Sequence, residues 1–150
     1  MEVKKILWPT DFSSNAEAAQ PYVESLSDLY QTQVHVLYVI PELADHEPWY
    51  GVFEKSHIDR IHEWEEENAK KRLDEICKNH LQGCPLYIKH TATGNPADEI
   101  LKMIEKEEID LVVMASHGRQ GNFHFGSVTE KVVKHSPKPV VTIPIGYREV

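Results

Sequence analysis

Apolar positions along the chain fall into two alternating kinds of run, short continuous blocks and longer stripes of helical period. VKKILWP at 3–9 closes on Ile6, Leu7 and Trp8 and then a proline, which predicts a buried strand. In SNAEAAQPYVESLSDLY, Ala16, Ala19, Val23, Leu26 and Tyr30 recur at spacings of 3, 4, 3 and 4 and mark one stripe of a helix. Ser14 with Glu17 three residues on fits a capping box at its start, and Pro21 predicts a kink because it has no N–H to donate. VHVLYVI at 34–40 predicts the second strand, PELADHEPWYGVFEKS at 41–56 a loop, and His57–His80 a long charged helix. In that helix Ile58, Ile61, Ala69, Leu73, Ile76 and Cys77 supply a broken apolar stripe, while the EEE and KKR runs face water. PLYIKHTAT at 85–93 predicts the third strand, and Asn95-Pro96 an N-cap and first-position proline for a helix through Ile100, Leu101 and Ile104. IDLVVMAS, GSVTEKVVKHS and KPVVTIPIG follow as strand, short helix and strand.

Strands alternating with helices imply βαβ units, and so a parallel sheet with right-handed crossovers. The all-apolar runs LVVMA and VVTI predict burial on both faces of the sheet. The expected fold is α/β, a doubly wound sheet of five parallel strands with helices on both faces, forming one domain over 1–150. Ligands of such sheets sit beyond the carboxyl ends of strands, where strand order reverses. Chemistry is therefore expected after the first and fourth strands.

Charge and composition narrow the partners. Against 24 acidic residues stand 16 basic ones, a net charge of −8, and no basic cluster exceeds KKR at 70–72, which argues against nucleic acid. The longest apolar runs, such as LVVMA, are four or five residues, too short to span a membrane. MEVKKILW carries no export signal, so a cytoplasmic protein is expected, with Cys77 and Cys84 as free thiols. The 9 histidines form no HExxH pattern; His57 and His62 do not share a helical face, and His117 and His124 lack a third ligand nearby. They are expected to scatter over the surface. GxxxxGK[ST], GxGxxG and GxSxG are all absent, so no P-loop, dinucleotide fingerprint or nucleophile elbow is signalled.

Two loops remain as candidates. In WPTDFSSN, Asp11 is either a turn residue capping the next helix or a carboxylate for ribose hydroxyls or an adenine amino group. MASHGRQGNFHFGSVTEK, from Met114 to Lys131, is either a phosphate cradle or a Gly-rich turn. Ser127 and Glu130 form an S-x-x-E pattern, so Ser127 can cap the last helix. The same helix start gathers unpaired N–H groups and partial positive charge, which suit phosphate. Gly118, Gly121 and Gly126 let the backbone approach a ligand, and Arg119 can add a charge-assisted contact of about 1.5–3 kcal/mol. Asp11 and His117 can reach a phosphate or a water, but no activated nucleophile or acid–base pair accompanies them, so an efficient enzyme is not expected.

PTDFS, GNPADEI and SHGRQG followed by GSVTEKVVKHSPKPVVTIP, in that order, resemble the universal stress protein family over nearly the whole chain, most specifically in the last 35 residues. The resemblance implies strand order 3-2-1-4-5, a stress-response regulatory role, and ATP or another adenine nucleotide bound through G-x2-G-x9-G-[S/T]. It implies no metal beyond Mg2+ carried by the nucleotide. It also implies a homodimer through the last strand, at Val140, Val141, Thr142 and Ile143, which covers an otherwise exposed edge. Position by position, Gly118 and Gly126 with Ser127 fall on the second and third glycines, Ala115 falls on the first, and RQGNFHF offers seven spacer residues for nine. Asp11 matches the adenosine-contacting aspartate, flanked by Pro9 and Thr10, and Val39 the position whose backbone meets adenine. Met114, His117, Arg119 and Val128 complete the implied site. Two missing residues shorten the loop's reach by up to about 7 Å. Adenosine and one phosphate can then still bind while triphosphate selectivity weakens, with Phe123 and Phe125 folding into the space. The alternative is a nucleotide-free dimeric member acting through protein partners.

Overall fold

Five strands pair in parallel: β1 (Lys5–Pro9), β2 (Gln33–Ile40), β3 (Tyr87–Thr93), β4 (Leu111–Ala115) and β5 (Val140–Ile143), in the order β3-β2-β1-β4-β5. Between them run α1 (Ser14–Glu17), α2 (Gln20–Tyr30), α3 (Lys55–His80), α4 (Pro96–Lys106) and α5 (Ser127–His135). The computed structural model describes residues 1–41, 55–80, 87–117 and 126–144. Successive strand side chains point to opposite faces. Ile6, Trp8, Val34, Val36 and Val113 therefore pack with α2 and α3 through Val23, Leu73 and Ile76, while Leu7, Leu37, Val39, Val112 and Met114 pack with α4 and α5 through Ile100, Ile104 and Val132. This is the doubly wound α/β fold that the alternation predicts, with the strand order that the resemblance implies. Among the described residues no helix is long and apolar enough to cross a membrane.

Local departures have local causes. Ser13, not Ser14, is the N-cap of α1; its hydroxyl accepts the Ala16 N–H at 3.1 Å, and Ser14 is the first helical residue. Pro21 does more than kink the helix: the chain divides into α1 and α2, with Pro21 in the first turn of the second, where its missing N–H costs least. Tyr30 leaves the expected stripe and is exposed, because α2 ends immediately after it at left-handed Gln31 (φ 54°). In α3 the C-terminal half alone supplies the expected stripe, with Ala69, Leu73, Ile76 and Cys77 buried and Ile61 exposed; the side chain of Ile58 lies outside the described residues. Cys77 is buried and in no disulfide among the described residues, and Cys84 lies outside them. Of the expected loop at 41–56, residues 42–54 lie outside the described ones, and Lys55 and Ser56 belong to α3. β4 is buried along its whole length, but the VVTI run of β5 is only half-buried up to Ile143, since it is the edge of the sheet. Asn95 caps α4 through the Asp98 N–H, and Gly94 before it holds φ 147°, where an added Cβ would meet the Glu99 carboxylate at 3.0 Å.

The histidines depart most from expectation. His35 is 1% exposed within β2, and its Nδ1 lies 2.8 Å from Nε2 of half-buried His90 on β3. Burial, and secondly His90, holds His35 below the ordinary value of 6.5; burial likewise lowers His90. The unfolded chain thus takes up protons near pH 6.5 before the folded one does, so these groups cost no stability above about pH 7 and destabilise progressively as pH falls from about 6.5 toward the lower folded values. In metal-free buffer the urea midpoint is expected to fall between pH 7.5 and 5.5 (about two units) more steeply for the parent chain than for His90→Gln. Parallel pH profiles of the two proteins would contradict this assignment.

Candidate functional site

The switch in strand order falls between β1 and β4, so the loops leaving these strands stand side by side. The chain leaves β1 at Pro9, and the Thr10 N–H donates to the Leu37 carbonyl at 2.9 Å, which keeps buried Thr10 at the end of the sheet. The Thr10 hydroxyl then accepts the Phe12 N–H at 3.1 Å, and Asp11 Oδ1 accepts the Ser13 N–H at 2.9 Å. These two short turns orient the Asp11 carboxylate before α1 begins. Asp11 thus organises the turn, and it sits half-buried at the carboxyl end of β1.

Three residues at this loop escaped the sequence reading. Phe12 holds φ 62°, a conformation that costs an L-residue roughly 1–2 kcal/mol. Its ring packs on Tyr38 with centroids 4.4 Å apart, and the Arg72 guanidinium lies 4.8 Å above it. Arg72 was expected to face water as part of KKR. It remains exposed but folds back onto the β1 loop, because its stem lies next to buried Leu73 on the packed half of α3. No local pattern signals this contact, which depends on how α3 crosses the sheet.

The second loop leaves β4, where Met114, Ala115 and Ser116 are all buried. Ala115 lies within the strand, and it is not among the positive-φ residues, so its methyl costs the backbone nothing. The Ser116 N–H donates to the Ile143 carbonyl at 2.9 Å, and the Ser116 carbonyl accepts the Gly126 N–H at 3.0 Å. Thr129 Oγ1 donates to the Ala115 carbonyl at 2.9 Å. The last two bonds hold the start of α5 against the carboxyl end of β4. Gly126, not Ser127, is the N-cap of α5, without a side-chain cap; exposed Ser127 is the first helical residue. The first intrahelical bond runs from Glu130 N–H to the Gly126 carbonyl, so the amides of Ser127, Val128 and Thr129 precede the ladder. Ser116 Oγ lies 2.8 Å from His117 Nδ1, and the buried His117 Nε2 has no partner among the described residues.

Of the expected site, Pro9, Thr10, Asp11, Val39, Met114, His117, Gly126, Ser127 and Val128 thus lie at or near the carboxyl ends of β1, β2 and β4. Gly118, Arg119 and the rest of RQGNFHF, including Phe123 and Phe125, lie outside the described residues.

The sequence pattern of the universal stress protein family matches residues 2–144. The chain belongs to this family. It is similar to universal stress protein MJ0577 of Methanocaldococcus jannaschii, 32% identical over 152 residues that cover 93% of this chain and 94% of that one. The solved structure of MJ0577 superposes with a TM-score of 0.83 at 33% identity, covering 98% of this chain and 99% of that one. The universal stress protein UspA of Lactobacillus plantarum follows with a TM-score of 0.75 at 25% identity, over 95% of this chain and 99% of that one. A universal stress protein from Archaeoglobus fulgidus, solved in complex with dAMP, shares the fold at 17% identity and a TM-score of 0.60, over 94% of this chain and 97% of that one.

Proposed function

We propose that this universal stress protein is a regulatory binder of an adenine nucleotide, held across the ends of β1 and β4. The observation that carries the reading is the pair of bonds from Gly126 N–H to Ser116 and from Thr129 to Ala115, which set the unladdered amides of α5 beside the end of β4. Phosphate placed there gains N–H donors and the positive end of the helix. His117 Nε2, without a partner among the described residues, offers one further polar contact from the loop that leaves β4. Asp11, at the end of the neighbouring strand, takes the ribose hydroxyls or the adenine amino group, and Val39 lines the base side. That the same fold holds dAMP in the A. fulgidus protein is consistent with this arrangement. The short RQGNFHF spacer favours one or two phosphates over three.

The reading is tested by mass spectrometry of any small molecule released on mild denaturation, followed by titration of ATP, ADP and AMP. Asp11→Ala is expected to weaken all three by about 10–100-fold, the value of one or two hydrogen bonds to a charged group. An empty protein with no titration signal would leave the second reading, a nucleotide-free member acting through protein partners, which the same shortened spacer supports.

The proposal includes pairing of β5 with its two-fold mate, since Val140, Val141 and Thr142 leave a half-buried apolar edge. Light scattering at micromolar concentration reads the mass directly, and a monomer would refute the pairing.

A further inference from the structure

At the opposite end of the sheet from these loops, two imidazoles and a carboxylate converge from three elements. His35 comes from the first half of β2, His90 from β3 and Glu107 from the C-cap of α4, and one ligand atom from each lies within 4.8 Å of the other two. The backbone beneath the histidines is set by the parallel ladder, with His35 opposite Ile88 and Leu37 opposite His90. Their rings are nearly parallel, at 6°, and share one contact of 2.8 Å. Although His35 is 1% exposed, its Nε2 has no hydrogen-bond partner among the described residues. Buried polar atoms are normally paired, and those that are not ask for an absent partner.

We propose that His35, His90 and Glu107 bind one divalent zinc-class ion, unconnected with the nucleotide loops. Two nitrogens and one carboxylate are the donor set of a three-ligand zinc site. The fourth position opens to water on the half-buried His90 and Glu107 side. Ligand atoms around tetrahedral zinc, with bonds of about 2.0–2.1 Å, stand about 3.3 Å apart. That spacing lies within the 4.8 Å limit of the cluster, so side-chain rotation is needed to draw the ligand atoms onto an ion. Lys5, whose Nζ donates to the Glu107 carbonyl at 2.9 Å, and Lys106 bring positive charge nearby. Long-range attraction therefore contributes little, and the site selects ions that bond to nitrogen over Mg2+ or Ca2+, which require oxygen cages. The ion would tie β2, β3 and α4 together at the end of the domain remote from the loops.

The test uses the full chain, stripped with chelator and titrated with ZnCl2, with bound zinc counted by mass spectrometry after gel filtration. One zinc per chain and a raised melting temperature are expected. His90→Gln and Glu107→Gln are each expected to lose at least about 10-fold in affinity, the scale on which even outer partners of a metal ligand act. His62→Gln, on α3, is expected to bind zinc like the parent. His90 and Glu107 are only half-buried, so these variants spare the packed His35, and Glu107→Gln decides alone should His90→Gln fail to fold. A parent chain that retains no zinc at micromolar concentration would overturn the proposal, as would Glu107→Gln retaining it with unchanged affinity.

Discussion

Gly126→Asp is expected to melt slightly above the parent chain and yet to lose its nucleotide. Gly126 caps α5 with φ −58° and ψ 150°, a conformation open to any L-residue, so the backbone itself does not require glycine here. Aspartate is a better N-cap than glycine by a few tenths of a kcal/mol, and its charge at the helix start adds about 0.3–1 kcal/mol. For a chain of this length each kcal/mol moves the melting temperature by roughly 2–4 °C, so a rise of about 1–4 °C is expected. The same carboxylate takes the amides proposed for phosphate and repels the anion. Each charged hydrogen bond lost is worth about 1.5–3 kcal/mol, which predicts a loss of about 100-fold or more for ATP, ADP and AMP. Adenosine binding should be unchanged. The raised melting temperature is an internal control, since it shows that the new side chain has reached the amides. AMP binding retained alongside that rise would place the phosphate elsewhere.

Trp8→Ala is expected to lose about 3–5 kcal/mol of stability, the usual cost of truncating a buried aromatic. Trp8 has 0% exposure on β1, between β2 and β4, within the cluster that includes Val23, Val36 and Leu73. Domains are stable by only about 5–15 kcal/mol, so the variant stands close to unfolding. Its melting temperature should drop by about 6–20 °C. Trp8→Phe is expected to cost much less, and not only because it keeps a ring. The Nε1 N–H is buried without a partner among the described residues, and such a group costs about 1–3 kcal/mol, which the phenylalanine recovers. Urea denaturation of both variants reads the difference. Equal losses would show that Nε1 is satisfied in the folded chain. Because β1 leads directly into Thr10 and Asp11, Trp8→Ala should also weaken nucleotide binding beyond what the unfolded fraction explains.

The element sequence was legible in the chain because the signals that make a strand or a helix are local. LVVMA is buried at every position since both faces of β4 are covered, and Asn95-Pro96 begins α4 as the capping rule requires. The caps of α1 and α5 each lie one residue before the serine that the S-x-x-E spacing picks out. At α1 the Ser13 side chain accepts the Ala16 N–H, and at α5 Gly126 serves with its backbone alone. Of the site, the Thr10–Asp11 turn and the start of α5 were readable as motifs. Their joining was not, because it depends on the pairing of β1 with β4 and on the bond from Gly126 to Ser116 across a loop.

By itself, then, the sequence determined the order and kind of the elements, the apolar face of each, the family, and which two loops to compare. Only the tertiary structure decided that Arg72 folds over Phe12, and that His35 meets His90 across 55 positions instead of lying on the surface. The physical reason is one of range. Periodicity and capping act over one or two turns of chain, whereas side chains distant in sequence are brought together by strand register and by the angle at which a helix crosses the sheet.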